Sequence, residues 1–449
     1  MAKKMNEKFS KIGFILAVAG GAVGLGNAFK FPTLVGSSGG SAFVFLYLIL
    51  TLTIGFSVFL AEMAMGRLSG KDPVNAYKIL APKNGDKWKF AGFFMIAGIF
   101  VLAFYLIILG WVIRYIAVSF ANLPSTTALA GENFENFITN SFKANLFFYL
   151  IAFLSTFAVV ARGIKSGIEK LNIYMMPLLF ILLLIMLIYS CFMDGFSKAA
   201  VFLFTPDFSK IDFSVVLNAL GLAFFTLCIG IGCITTYAAN LGESANIVKS
   251  SISIVFINIL IGLMVGLVVF TFVFEFDANP GEQGVGLVFV SLTSLFAKLG
   301  FIGNVLAVLF FISLFFAGIT SAISMIEPFV FYLINSYKIS RLKAVIISAI
   351  GVFVLSLSAL LSIQKDAGAT FTFFGKSFFD ILDFVSQNLM LPLGAMMTTI
   401  FVGFIMRKTD LKRLYTAEMG EKGFTIWINF LRFVVPICII IIFINQIWG

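Results

Sequence analysis

Residues 19–32 read Ala19-Gly20-Gly21-Ala22-Val23-Gly24-Leu25-Gly26-Asn27-Ala28-Phe29-Lys30-Phe31-Pro32. Four glycines in seven positions interrupt an otherwise apolar run. Each disfavours a helix interior by about 1 kcal/mol against alanine. Small residues also let membrane helices approach closely, but packing requires neither Asn27 nor Lys30. The stretch therefore reads as a membrane helix broken part-way, and its freed peptide groups need a cavity, bound ions or a ligand. The same pattern returns at Phe224-Phe225-Thr226-Leu227-Cys228-Ile229-Gly230-Ile231-Gly232-Cys233.

The rest of the chain places these two breaks in a membrane. Of 449 residues, 60% are hydrophobic and 12% are charged, whereas soluble domains carry about 25% charged residues. Mean hydropathy is +1.06. Runs long enough to span a bilayer, about 20 residues, recur from end to end. Eleven helices are expected, at roughly 11–34, 41–66, 88–121, 145–162, 171–192, 213–240, 249–275, 302–335, 341–363, 379–405 and 424–447. A further apolar stretch, Leu287 to Phe296, reads as a re-entrant or surface helix. The first apolar run, Ile12 to Leu34, lacks a small-residue cleavage site and does not read as a cleaved signal.

Charge sets orientation. Lys and Arg gather in segments 1–11, 67–89, 162–170, 338–343 and 407–422, while the alternate loops hold little beyond Lys143, Lys198, Lys210, Lys298, Lys365 and Lys376. The positive-inside rule then puts the N-terminus in the cytoplasm, and eleven spans put the C-terminus outside. The net charge of +10 is thus a matter of topology. No basic domain exists that could hold nucleic acid. The four cysteines, Cys191, Cys228, Cys233 and Cys438, have no metal-ligand spacing and read as small core residues. With no histidine and no facing Asp pair or Ser-Lys pair in the spans, the chain has no catalytic set and is not read as an enzyme.

Helices 1 and 6 are each the first of a group of five. Broken helices at matching positions in two halves indicate an inverted-repeat transporter with its site near the midplane. The expected fold is an all-α integral membrane protein with a 5+5 inverted repeat plus one extra helix. Residues 1–192 would form the first repeat, 193–405 the second, and 406–449 helix 11 with the C-terminus. Other intramembrane polar positions can join the breaks: Asn258 in helix 7, and Thr320 and Ser321 with a carbonyl one turn earlier, at Ala317, in helix 8. Such uncharged oxygen sets suit a weakly hydrated alkali ion better than Mg²⁺.

On these residues the chain resembles the neurotransmitter:sodium symporter family in its bacterial leucine-transporter-type form, across helices 1 to 11. The motifs are Gly20 to Pro32, Ala64-Met65-Gly66-Arg67, Arg162-Gly163-Ile164 with Gly167-Ile168-Glu169, Phe224-Phe225-Thr226, and Phe316-Ala317-Gly318-Ile319-Thr320-Ser321. The resemblance implies two sodium ions. The first would be held by Ala22, Asn27, Thr226, Asn258 and the substrate carboxylate. The second would be held by the carbonyls of Gly20, Val23 and Ala317 with the hydroxyls of Thr320 and Ser321. It also implies a substrate pocket of Gly21, Ala22, Gly24, Val101, Tyr105, Phe225, Thr226, Cys228, Ile231, Ser321 and Met325, with Tyr105 donating to the carboxylate.

Monoamine carriers of the family place an Asp at the position matched to Gly21, so the uncharged pocket implies a neutral, hydrophobic L-amino acid. A charged side chain would be left unpaired there. The implied outer gate is Lys30 with Asp383, closed beneath by Tyr105 and Phe225. Glu62 would support the unwound part of helix 6. Two positions depart from the pattern. Gly262 carries neither the acid of bacterial members nor the Ser of chloride-dependent ones, which leaves chloride open, with Tyr47, Thr226 and Asn258 as its candidate ligands. The inner-gate positions fall on Met5, Lys8, Asn240 and Asn335, with Lys4 and Phe9 one residue off.

The function implied is sodium-coupled symport of neutral L-amino acids by alternating access, with helices 1, 2, 6 and 7 rocking against 3, 4, 8 and 9. Its alternatives are a sodium- and chloride-dependent carrier of another small zwitterion, and a non-transporting amino-acid sensor on the same scaffold. The expected partners are the amino acid, sodium and the lipid bilayer of the cell membrane, and a monomer suffices for transport.

Overall fold

Lipid offers no hydrogen-bond partners, so an apolar run closes its backbone bonds within itself as a helix. The computed structural model describes residues 8–242, 245–281 and 284–448. Among them, nine helical segments are long and apolar enough to cross a bilayer, and a tenth candidate is a bent pair. In chain order, α1 is that pair, Lys11–Ala22 and Gly26–Ser37, bent by 50°. Then come α2 (Ser41–Ser69), α3 (Gly85–Ser119), α4 (Phe142–Ala161) and α5 (Ile164–Ser190). The sixth, α6, is itself two pieces, Phe213–Thr226 and Cys233–Ala239. It is followed by α7 (Ile247–Glu275), α8 (Phe301–Tyr337), α9 (Arg341–Ser362), α10 (Phe378–Ile405) and α11 (Lys408–Ile444). The eleven expected spans are reached only when the two short pieces of α6 are counted as one crossing.

Helix starts follow their capping residues. Ser10 accepts the Gly13 N–H at 3.0 Å, Asp212 that of Val215 at 2.7 Å, and Asn246 that of Lys249 at 2.8 Å. Each satisfies an amide that the helix cannot. Segments read as loops contain short helices, at Pro73–Leu80, Thr127–Glu135 and Gly195–Phe204. The α11 element begins earlier than expected because Lys408–Met419 is helical before a turn at Gly420, φ 74°.

The stretch Leu287 to Phe296, read as a re-entrant or surface helix, lies in a short helix, Leu287–Ala297, whose burial rules out the surface alternative: Leu287, Phe289, Leu292 and Phe296 are all 1% exposed or less. Phe289 packs on Phe29 of α1 at 5.2 Å, Tyr115 of α3 at 4.9 Å and Phe311 of α8 at 6.0 Å between ring centroids. It thereby fastens the second half of α1 to α3 and α8, which pack extensively along each other.

Candidate functional site

The two breaks meet. In α1 the helix stops at Ala22, and Val23 takes an extended conformation (φ −81°, ψ 90°). In α6 it stops at Thr226, and the chain turns through Cys228 (φ 53°), Gly230 (φ 89°) and Gly232 (φ 73°). Positive φ is natural for glycine and strained for Cys228. Gly230 also lies against the backbone of Gly394 and Leu391 in α10, where a β-carbon has no room.

The breaks are stitched across their own peptide groups. The Cys228 thiol donates to the Gly21 carbonyl at 2.9 Å. The Ser321 hydroxyl faces the carbonyls of Gly20 and Gly21 at 3.0 and 2.9 Å. Leu25 N–H donates to the Tyr105 hydroxyl at 3.0 Å. Tyr105, expected to donate to a carboxylate, is thus an acceptor here, and its own proton is still available. From α2, Glu62 Oε1 accepts the Gly230 N–H at 2.8 Å, and Glu62 Oε2 is buried with no donor among the described residues. Glu62 thereby holds an amide of the α6 break that no helix turn satisfies.

Asn27, Asn258, Tyr47 and Thr226 form one buried cluster. Asn27 Nδ2 donates to Asn258 at 2.9 Å, both to Oδ1 and to the backbone oxygen. Asn258 Nδ2 lies 3.4 Å from the Tyr47 hydroxyl, which lies 3.1 Å from Thr226 Oγ1. Asn27 Oδ1 is buried and has no donor among the described residues, and a buried polar atom left so calls for an explanation. On α8, Thr320 Oγ1 bonds back to Phe316 and Ala317 at 2.9 and 3.0 Å. Gly20 meets this part of α8 through Ser321 Oγ, 3.0 Å from its carbonyl, and through the Thr320 side chain, while Val23 lies in the break itself and is fully buried.

Gly21 and Gly24 do not have the same surroundings. A β-carbon on Gly21 would meet Ser324 Oγ at 2.9 Å and Cys233 Sγ at 3.5 Å. One on Gly24 would meet Ser321 Oγ at 2.5 Å and the Tyr105 hydroxyl at 2.8 Å. Gly24 thus faces Tyr105 and Ser321, and Gly21 faces Ser324 and Cys233. Gly21 serves the site through its carbonyl. Val101, Ile231 and Met325 are all buried, and Cys228 is 6% exposed. Gly98, one turn before Val101, rests on the Met325 backbone.

Above the breaks is a cavity of about 320 Å³, lined by Leu25, Gly26, Phe29, Lys30, Phe104, Tyr105, Ile108 and Phe225. A second, of about 140 Å³, lies towards α10 and α11 and is lined by Lys30, Asn218, Phe225, Gln387, Asn388 and Leu391. Lys30 and Phe225 line both, and the Lys30 ammonium sits 4.5 Å from the Phe225 ring centroid. The expected direct pair of Lys30 and Asp383 is replaced by a relay. Lys30 donates to Gln387 Oε1, and Gln387 Nε2 donates to Asp383 Oδ1. Gln387 was missed in the sequence because its role appears only when α10 is set beside α1.

The N-terminal face is closed by contacts the sequence did not specify. Phe9 N–H donates to Asn240 O at 3.0 Å, and the Phe9 ring meets Tyr237 at 5.3 Å. Ser10 Oγ donates to Glu169 Oε1 at 2.5 Å. Arg67 holds the carbonyls of Leu241 and Gly242 at 3.1 and 2.6 Å. Arg341 grips the fully buried Glu327 through two bonds, of 2.9 and 2.6 Å. Asn240 and Phe9 thus take part, while Met5 and Lys4 lie outside the described residues.

The model of the sodium:neurotransmitter symporter family matches residues 6–146 and 134–449. An uncharacterized sodium-dependent transporter of Bacillus subtilis, YhdH, is 36% identical over 98% of this chain and 97% of its own length. Another, of Haemophilus influenzae, is 33% identical over the same shares. The crystal structure of MhsT in complex with L-phenylalanine superposes with a TM-score of 0.88 at 34% identity, covering 98% of this chain and 99% of MhsT.

Proposed function

The chain belongs to the sodium:neurotransmitter symporter family and is a sodium-dependent membrane transporter, not an enzyme, and from that premise we propose that it carries neutral, hydrophobic L-amino acids into the cell with two sodium ions. The observation carrying the proposal is the pair of facing breaks with Tyr105, Ser321 and Cys228 between them and no ionised side chain among these contacts. A zwitterion finds there what it needs. Its carboxylate accepts a hydrogen bond from the Tyr105 hydroxyl and faces the positive end of the second half of α1. Its ammonium takes the carbonyls that Ser321 and Cys228 now face. An apolar side chain lies among Val101, Phe225, Ile231 and Met325. MhsT was crystallised with L-phenylalanine, and a side chain of that size suits a pocket with a flexible methionine wall.

Sodium is co-substrate here. The first ion is assigned to Ala22, Asn27, Thr226, Asn258 and the amino-acid carboxylate. Sharing one site, anion and cation offset each other's loss of water, and this couples their binding. The second ion is assigned to Gly20, Val23, Ala317, Thr320 and Ser321. Two charges moving through 100 mV supply about 4.6 kcal/mol, enough for roughly two-thousandfold accumulation. The N-terminus is taken as cytoplasmic, and residues 1–192 and 193–405 as inverted repeats whose first helices, α1 and α6, move against α3 and α8.

Chloride is a second reading that one observation favours. Tyr47, Thr226 and Asn258 converge at 3.1 and 3.4 Å beside Gly262, where no acid supplies negative charge. More distant relatives of 24–26% identity are named sodium- and chloride-dependent GABA transporters. The test is uptake by the purified protein in vesicles, for each of the twenty amino acids, with sodium or chloride replaced in turn. Concentrative, sodium-driven uptake of Phe- or Leu-sized substrates is expected. Tight binding that never becomes accumulation would instead identify a sensor.

A further inference from the structure

We propose that Asn172 of α5 supplies a further oxygen to the second sodium site, on the side of the N-terminal face. The inference rests on the assignment of Gly20, Val23, Ala317, Thr320 and Ser321 to that site, and nothing in that assignment includes α5.

Asn172 lies two turns into α5 and is fully buried. Its Nδ2 donates to the Ile168 carbonyl at 2.9 Å. That bond fixes which end of the amide is which, since the reverse placement would set oxygen against oxygen. The other end, Oδ1, is buried and accepts from nothing among the described residues. A buried amide oxygen without a partner is uncommon and calls for an explanation such as an ion.

The direction of Oδ1 supplies one. It occupies the space that a β-carbon on Gly20 would need, and Thr320 Cβ lies 3.1 Å from that same point. The orphan oxygen therefore stands between two members of the proposed oxygen set. Its approach is possible only because residue 20 is glycine. A neutral amide oxygen is a hard donor of the kind alkali and alkaline-earth cations take. The acid one turn earlier on α5 does not compete, because Glu169 already accepts from the Ser10 amide at 3.2 Å and from the Ser10 hydroxyl at 2.5 Å.

With Asn172 included, the ion bridges α1, α5 and α8. Its departure to the cytoplasm then requires α1 to separate from α5 as well as from α8. Ser10 and Glu169, on the same two helices, are the contact that would part first.

The test is the sodium concentration for half-maximal amino-acid binding to the purified full-length protein. Three variants are compared: Thr320→Ala, Asn172→Leu and Asn172→Asp. Thr320→Ala tests the site itself; if it leaves the sodium requirement unchanged, the underlying assignment fails. If it raises the requirement, Asn172→Leu is expected to raise it about tenfold too, with substrate affinity at saturating sodium preserved. An unchanged requirement in Asn172→Leu would overturn the inference alone. Should the leucine variant not fold, Asn172→Asp decides. It keeps the oxygen and adds charge, so it should lower the requirement about tenfold, and no change there counts equally against Asn172 as a ligand.

Discussion

Asn27 and Asn258 are joined so that one amide gives up its donors and keeps its acceptor: Asn27 Nδ2 lies 2.9 Å from both oxygens of Asn258, and Asn27 Oδ1 is left buried and without a donor among the described residues. The link runs from α1 to α7 and leaves the free oxygen beside the break. Asn27→Ala removes that oxygen and also strands the Asn258 acceptors. Sodium-dependent amino-acid binding should need about tenfold more sodium, as for the loss of a bond worth about 1.5 kcal/mol to a charged group. The measurement is a sodium titration of binding in detergent. An unaltered midpoint would take Asn27 out of the first sodium site.

Tyr105→Phe tests the carboxylate contact. The hydroxyl accepts from Leu25 N–H at 3.0 Å and lies beside Ser321 at the position of Gly24. Losing it deprives the substrate of a donor and the α1 break of an acceptor. Affinity for amino acid should fall by about 1–2 kcal/mol at saturating sodium. A competitor lacking the carboxylate should bind both proteins alike, because it never used the hydroxyl. Equal losses for the two ligands would mean that the phenol only shapes the pocket.

Much of this site was legible in the sequence, and the reason is physical. Glycines inside a membrane run have few uses, so Gly20–Gly26 and Gly230–Gly232 announced both breaks, and each lies within two to four residues of its expected place. Thr320 and Ser321 were singled out by the family resemblance, since a Thr-Ser pair in a membrane helix by itself more often bonds back to its own backbone, as Thr320 does. What could not be read was any contact made by side chains that also serve as ordinary surface or helix residues. Gln387 has no periodic or compositional mark, and it joins Lys30 to Asp383 only because α10 sets it between them. The difference between Gly21 and Gly24 is likewise one of rotation about a broken helix, which no spacing rule can give. Glu327, an acid inside an expected span, was itself a signal, but its partner Arg341 lies beyond the end of its own helix and could not be read.

Gln387 should control how long the substrate stays. Lys30 is held over the Phe225 ring and tied to Asp383 through the Gln387 amide. Lysine is a point charge without the planar fork of arginine, so it cannot span the gap with the same rigidity and relies on the relay. Gln387→Ala leaves two charges apart and frees Phe225 to swing. The dissociation rate of bound amino acid should rise about three- to tenfold, as for the loss of one charge-assisted hydrogen bond, with the sodium midpoint little changed. A chase of labelled substrate reads this directly. A slowed or unchanged rate would show that Phe225 closes the site without the relay.

Gly262 offers the sharpest test of the anion. Among the described residues a β-carbon there would meet only Asn27 Nδ2, at an ordinary contact distance of 3.6 Å, so the backbone itself need not move for a side chain. The adjoining hydroxyls and amide of Tyr47, Thr226 and Asn258 are donors that a bound anion would use. A carboxylate fixed at position 262 would supply the same charge without leaving the protein. At about 4 Å, and with an effective dielectric of about 20, one unit charge favours a neighbouring sodium by about 4 kcal/mol, less the cost of burying the acid. Gly262→Glu should therefore transport as well in gluconate as in chloride, while the unaltered protein slows several-fold when chloride is withdrawn. Uptake at matched sodium in the two salts measures both. If the unaltered protein ignores chloride, the three donors serve the fold and the cation alone. If it needs chloride and Gly262→Glu still does, the anion binds elsewhere.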